Sequence, residues 1–350
     1  MPEDLAADAD EIRQNALRGL TKFDTAQRAA STLTGRRSLR NRPEEYPTDV
    51  PDAPQGVPVR SARSLLFAPG DRPDLIQKAA VSGADAIIID LEDAVAADRK
   101  AEARAVIRGM AMPGEVDILV RVNAADTGLI FEDLAAVVRL GVSGIVVPKA
   151  ETATSMIQID GAIAVLETER GLQAGDIDLV PLVESALGVR NAYEILAAVD
   201  RVRAVLFGSG EQGDLVADLG CQWTPDGTGL LHARSAVLLA ARAAGIAEPL
   251  DAVFMDFRND DALRVECQLA QRIGFVGKCA IHPRQVAVIH EVFTPDTAEL
   301  EHQRRVLEAF DTAESQGLAS IAVDGRMVDY AVAKRARALL ARSAMNGREA

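Results

Sequence analysis

Residues 83–94 read Gly83-Ala-Asp-Ala-Ile-Ile-Ile-Asp90-Leu-Glu-Asp93-Ala94. The run 86–90 is β-branched and apolar without polar alternation, which is the pattern of a strand buried on both faces. It ends abruptly in a dense group of acids. The same texture recurs on both sides, as short apolar runs each followed by an amphipathic Ala/Leu-rich stretch. The runs fall at residues 64–68, 86–90, 118–122, 144–148, 178–183, 204–208, 251–255 and 277–281. Strands of this kind alternating with helices indicate a parallel sheet covered on both sides. Eight such units in one stretch match a closed α/β architecture, the (β/α)8 TIM barrel, better than an open doubly wound sheet. No G-x-G-x-x-G follows the first run, which argues against a dinucleotide site.

Outside the repeats the chain changes character. Residues 1–60 read as an N-terminal arm, with helices over 10–20 and 25–32 and then a linker over 36–58 that carries five prolines. Residues 61–294 form the barrel. Residues 295–350 read as a C-terminal helical extension, with helices over 296–316 and 327–344, placed as a helical hairpin on the barrel or as a lid.

Charge and composition narrow the function. The 350-residue chain has a formal net charge of −14, which disfavours nucleic acid and anionic membrane surfaces as partners. An anionic substrate therefore needs a local basic pocket. No apolar run is long enough to span a membrane. Cys221, Cys267 and Cys279 have no CxxC spacing, so a zinc site or disulfide framework is not expected and a cytoplasmic location is.

In a barrel the chemistry gathers at the C-terminal ends of the strands, and there almost every run ends in polar residues. The ends are Gly70-Asp71-Arg72, Asp90-Leu-Glu92-Asp93, Arg121-Val-Asn123, Pro148-Lys149, Glu184-Ser185, the loop Gly208 to Asp214, and His282-Pro283. Glu184 with one acid of the strand-6 loop, Asp214 or Glu211, reads as a sparse oxygen site of the kind Mg2+ takes, or else Glu184 is held in a salt bridge inside the barrel mouth. Arg121 sits in an otherwise apolar strand and needs an anion, either a substrate carboxylate or an internal acid such as Asp90 or Glu92. The acids at 90, 92 and 93 either orient the arginines or hold metal-bound waters. Arg72 follows a Pro-Gly turn and meets a phosphate or carboxylate, or solvent. His282 is a base or a hydrogen-bonded wall residue. No Ser/His/Asp or Cys/His nucleophile arrangement stands out.

The stretch Arg63-Ser-Leu-Leu-Phe-Ala-Pro-Gly70-Asp-Arg-Pro, followed by Asp90-Leu-Glu-Asp-Ala94, resembles the opening of citrate lyase β-subunit-like proteins, a group that includes malyl-CoA and citramalyl-CoA lyases. Further matches follow in order: Arg121-Val-Asn123, Val146-Val-Pro-Lys149, Val183-Glu-Ser185, Asp214-Leu-Val-Ala-Asp-Leu-Gly220, residues 274–283, and Asp324-Gly-Arg-Met-Val-Asp329. Together they cover residues 61–345. The resemblance implies a Mg2+-dependent carbon–carbon lyase that acts on an acyl-CoA and a small 2-oxo acid, assembled as a homotrimer or homohexamer. It implies Glu184 and Asp214 as metal ligands and Arg121 as the residue that binds the oxo acid and offsets enolate charge. It places Arg72 near CoA or substrate, and Lys278 and His282 at the CoA pocket. It makes Asp329 the acid that exchanges the acyl α-proton in a neighbouring subunit's site. Asp90 joins Arg121 and Asp329 as a catalytic candidate. One departure stands out: relatives carry the metal-binding Asp about three residues after Phe-Gly of strand 6, whereas Ser-Gly-Glu-Gln-Gly intervenes here before Asp214. Rival readings are the citryl-thioester lyase subunit of citrate lyase, a CoA-independent class II pyruvate aldolase, and a non-catalytic barrel acting through its arm.

Overall fold

The structure is a computed structural model and describes residues 62–114 and 116–346. The readings for residues 1–60 lie outside the described residues. Eight parallel strands close into a barrel in strict sequence order, which excludes the doubly wound alternative. They are β1 (Ser64–Pro69), β2 (Ala86–Asp90), β3 (Asp117–Arg121), β4 (Gly144–Val147), β5 (Asp178–Val183), β6 (Ala204–Phe207), β7 (Glu248–Asp251) and β8 (Gly277–Ala280). The connecting helices are α1 (Pro73–Ala80), α2 (Lys100–Gly109), α3 (Ile130–Val137), α4 (Ala153–Glu169), α5 (Ala186–Arg190), α6 (Ala192–Leu196), α7 (Asp214–Leu219), α8 (Leu231–Ala243), α9 (Asp260–Ile273) and α10 (Arg284–Phe293). The register between β1 and β8, with Ser64 opposite Lys278 and Leu65 opposite Cys279, completes the closure.

Successive strand residues point to opposite faces, and the packing follows that rule. Leu65, Ile88, Leu119, Val146, Leu182 and Leu206 fill the barrel interior. Ile87, Ile89, Val120, Ile145, Leu179 and Val205 face the helices. The same parity carries Asp90, Arg121 and Glu184 inward, two residues beyond Ile88, Leu119 and Leu182. The site is therefore a continuation of the core pattern by other side chains.

β7 departs from the sequence expectation. The run 251–255 meets the strand only at Asp251, because the ladder uses Glu248-Pro249-Leu250-Asp251 instead. Both acids are buried in the strand. Asp251 is tolerated because Lys278 and Arg234 neutralise it, so a segment that looks unsuited to a core is in fact a core strand.

Beyond the barrel lie α11 (Thr297–Ser315) and α12 (Tyr330–Asn346). Asp296 caps α11 by accepting from the Glu299 N–H at 2.6 Å. The expected helical pair is interrupted by an antiparallel hairpin of β9 (Ser320–Val323) and β10 (Arg326–Asp329), so residues 327–329 are strand rather than helix. Asp324-Gly325 turns the hairpin with both residues at positive φ, the geometry of a tight two-residue turn. A separate small core of Val306, Phe310, Val328, Ala333 and Ala336 holds this extension together. Among the described residues no helix is long and apolar enough to cross a membrane.

Candidate active site at the barrel mouth

Arg121 is the most constrained side chain at the mouth. Its guanidinium forks onto Asp90, with Nε 2.8 Å from Oδ1 and Nη2 2.6 Å from Oδ2. Its plane lies over the Phe67 ring at 5.0 Å. Asp90 also accepts from the backbone N–H groups of Glu92 and Ala94 at 2.9 and 3.0 Å. With its oxygens so occupied, Asp90 orients Arg121 and holds the strand-2 turn. Burial is the largest influence on Arg121 and opposes its charge, but the hydrogen bond and charge of Asp90 together with the charges of Glu92 and Asp93 outweigh it and raise the guanidinium above its usual value. The remaining nitrogen, Nη1, lies 3.0 Å from Glu92 Oε2. That approach is not aligned for a hydrogen bond, so this buried oxygen has no donor. Burial, followed by repulsion from Asp93, Glu184 and Asp90, pushes Glu92 up to about 8 despite Arg121.

Glu184 leaves the end of β5 and turns inward. Its Oε1 accepts the Lys149 backbone N–H at 3.0 Å. Burial, then Asp214 and Asp93, pushes its carboxyl up to about 7, against the pull of that N–H and of Arg121. Asp214 opens α7, and its Oδ2 lies 3.3 Å from Lys149 Nζ. Two contacts hold these acids near each other. Asp218 of α7 accepts the Ala186 N–H at 2.6 Å, docking the helix that begins with Asp214 onto the turn that follows Glu184. Gly208 at the end of β6 passes so close that a Cβ there would stand 2.4 Å from Glu184 Cβ. Only a glycine fits that approach, which explains the Phe207-Gly208 pair. The longer strand-6 loop therefore does not remove Asp214 from the group, whereas Glu211 is exposed on that loop.

Five carboxylates (Asp90, Glu92, Asp93, Glu184 and Asp214) thus interact with two cations, Arg121 and Lys149. Glu92 Oε2 is buried without a hydrogen-bond donor, and Asp93 and Asp214 are largely exposed, so a cation bound at the mouth would meet carboxylate oxygens that the protein itself leaves partly unmatched. Among the described residues no three acidic, histidine or cysteine side chains cluster tightly enough to wrap a metal ion. The group therefore fits an ion that takes one or two carboxylates and leaves its other positions to water and substrate, as Mg2+ does.

The other expected residues are placed elsewhere. Lys278 is the clearest correction. It is fully buried between the strands and the helix layer, 2.8 Å from Asp251 Oδ2 and 3.2 Å from Glu266 Oε2. Cys279, its neighbour on β8, faces the interior, so Lys278 points away from the mouth and has no access to CoA. Arg72 is exposed at the start of α1 and forks onto Asp74 at 2.9 Å. His282 is exposed, stacks on Phe257 with centroids 4.8 Å apart, and its Nδ1 accepts the Arg284 N–H. Asp329 ends β10 and accepts from the N–H groups of Ala331 and Val332, which caps α12.

The sequence reading gave no role to Lys149, Asp218 or Phe67. Lys149 had a signal, since it stands in the register of polar strand ends. Phe67 and Asp218 needed the fold: one lies beneath a guanidinium contributed by another strand, and the other reaches back from a helix.

The family model described as HpcH/HpaI aldolase/citrate lyase matches residues 63–283, most of the barrel. The chain belongs to this family. A second model, described as a carbon–carbon bond lyase of the TIM-barrel fold, matches residues 240–347 and so includes the extension. Among similar proteins, the citrate lyase subunit beta of Escherichia coli (strain K12) is 36% identical over 83% of this chain and 95% of its own length. The L-malyl-CoA/beta-methylmalyl-CoA lyase of Cereibacter sphaeroides is 34% identical over 82% of this chain and 96% of its own. A crystal structure of protein CitE from Mycobacterium tuberculosis, in complex with magnesium, acetoacetate and coenzyme A, superposes with a TM-score of 0.65. It is 34% identical and covers 81% of this chain and 99% of that one. Membership makes the chain a carbon–carbon lyase.

Proposed function

We propose that the chain cleaves, or in reverse forms, a β-hydroxyacyl-CoA such as malyl-CoA or citramalyl-CoA, giving an acyl-CoA and glyoxylate or pyruvate, with Mg2+ as its metal. The observation that carries this reading is Glu184 and Asp214 joined through Lys149 at the mouth, facing an Arg121 that Asp90 holds in place. It is supported by the relative that is an L-malyl-CoA/beta-methylmalyl-CoA lyase and by the Mycobacterium tuberculosis protein in complex with magnesium, acetoacetate and coenzyme A.

Glu184 and Asp214 would hold the ion, which when bound lowers the pKa of the substrate hydroxyl and fixes its neighbouring carboxylate. Arg121 enters already ionised and already aimed, so little reorganisation accompanies the reaction. As the hydroxyl proton passes to water at the open mouth, the bond between the α- and β-carbons breaks. The electron pair stays with the α-carbon as an enolate of the thioester, and the β-carbon becomes the carbonyl of the oxo acid. Arg121 offsets the charge that gathers on the thioester oxygen. Asp329, having taken a proton from solvent, delivers it to the α-carbon; in line with the family resemblance, a neighbouring subunit of a homotrimer or homohexamer would present it.

The test is a panel of malyl-, methylmalyl-, citramalyl- and citryl-CoA, assayed with Mg2+ and with EDTA. Turnover of at least one CoA ester that EDTA abolishes is expected. No turnover of any of the four refutes the reaction class, and a Glu184→Ala protein with full activity refutes the metal assignment. Exclusive turnover of citryl-CoA would assign the chain to the citrate lyase reaction instead.

A further inference from the structure

Arg121 and Lys149 differ in how firmly they are held. Arg121 is locked by the Asp90 fork and the Phe67 ring. Lys149 has a pinned backbone and a loosely held head. Its φ of 48° puts a bulky residue in the left-handed region that usually favours glycine. That conformation sends the N–H to Glu184 at 3.0 Å while the ammonium reaches Asp214 at 3.3 Å. The Lys149 side chain is 46% exposed and that of Asp214 54%. An ion pair this exposed is weak.

Both carboxylates that Lys149 touches are the ones assigned above to the divalent ion. An ammonium resting on Asp214 competes with that ion for the same oxygens. A half-exposed pair yields to a divalent charge, while the N–H on Glu184 keeps the residue at the mouth. The freed ammonium shares with Arg121 the neighbours Glu92 and Glu184, so both cations serve the part of the mouth where an anionic acyl group or oxo acid would enter. We propose that Lys149 is a further substrate-binding residue, held on Asp214 until the divalent ion takes that carboxylate and releases the ammonium to the substrate carboxylate. The proposal rests on the metal reading of Glu184 and Asp214.

The test is calorimetric titration of the full chain with Mn2+, without substrate, for the wild type, Lys149→Met, Lys149→Gly and Glu184→Gln. Removing the competing ammonium should tighten Mn2+ binding by roughly fivefold in both Lys149 variants. The glycine variant separates loss of charge from backbone distortion, since glycine accepts the left-handed conformation. In Mn2+-saturated protein, pyruvate or glyoxylate should bind Lys149→Met roughly tenfold more weakly, and Lys149→Arg should restore part of the loss. Wild-type Mn2+ affinity in both Lys149→Met and Lys149→Gly would overturn the proposal, as would undiminished oxo-acid binding to ion-loaded Lys149→Met. Unchanged Mn2+ affinity in Glu184→Gln would instead overturn the metal reading, and the Lys149 proposal with it.

Discussion

Replacing Gly208 by alanine adds one methyl group at the tightest approach in the site. Its carbon would stand 2.4 Å from Glu184 Cβ, 3.2 Å from Glu184 Cα and 3.2 Å from Oε2. Ordinary carbon–carbon contact lies at about 3.5–4.0 Å, so the first of these distances is short by more than ~1 Å. The nearest atom is a Cβ fixed to a buried strand end, and rotation of the side chain cannot relieve the clash. Either the end of β5 moves outward or that of β6 does, and both separate Glu184 from Asp214. A displacement of about 1 Å at a reacting centre costs on the order of 100-fold in rate, whereas overpacking a core costs about 1–3 kcal/mol of stability. Gly208→Ala should therefore fold, melt a few degrees lower, and lose about two orders of magnitude in kcat/KM on whichever CoA ester is the substrate. Its divalent-ion affinity should fall as well. The assays are steady-state kinetics, calorimetry with Mn2+ and thermal melting. A Gly208→Ala protein with wild-type activity and ion affinity would refute the claim that this approach sets Glu184.

Arg121→Lys keeps the charge but loses the fork onto Asp90, and should lower kcat/KM by roughly 10²–10³; a change under threefold would remove Arg121 from charge stabilisation. Lys278→Met should cost roughly 3–5 kcal/mol in denaturant unfolding, because it leaves Asp251 and Glu266 undercompensated in a dry layer, while the KM for the CoA ester stays unchanged; a raised KM with normal stability would return Lys278 to the pocket. The Glu184 carboxyl titrates at about 7, so protons compete with the ion. Ion affinity should weaken as pH falls from 8 through 7 to 6, and a pH-independent affinity in calorimetry would contradict this. Glu92 and Glu184 both titrate above the ordinary carboxylate value in the fold, so the stability they favour is complete below pH ~4.5 and is lost as pH rises through about 7–8. Glu92→Gln should flatten that decline in pH-dependent melting, and an unchanged slope would discount the burial of Glu92.

Strands were readable where burial on both faces forces an apolar run. β2 and β5 fall on the expected residues, and most of the others shift by a residue at one end. β7 was not readable because Asp251 is neutralised by Lys278 of β8 and Arg234 of α8, while the charges acting on Glu248 come from Arg342 of α12 and Arg242 of α8. Nothing local to Glu248-Pro-Leu-Asp251 announces those partners. Lys278 failed for a related reason. A lysine in an apolar strand needs an anion on whichever side it faces, and one residue of parity separates the catalytic mouth from the helix layer. The inward set of Asp90, Arg121 and Glu184 was legible as polar ends of apolar runs. The interplay among them was not, because the fork of Arg121 onto Asp90 and the contacts of Lys149 with Glu184 and Asp214 depend on side-chain directions and loop paths that no single run of sequence carries.

The seam between β1 and β8 joins the two ends of the barrel sequence. During synthesis, β1 emerges first and waits with one edge unpaired until β8 has left the ribosome, and Gly277 must then slide within 2.5 Å (measured to a notional Cβ) of the Ala62 and Arg63 carbonyl oxygens. Non-local pairing of this kind is slow and leaves an aggregation-prone edge exposed meanwhile. Substitutions along the seam should therefore reduce soluble yield in cells more than they lower the stability of protein that has already folded.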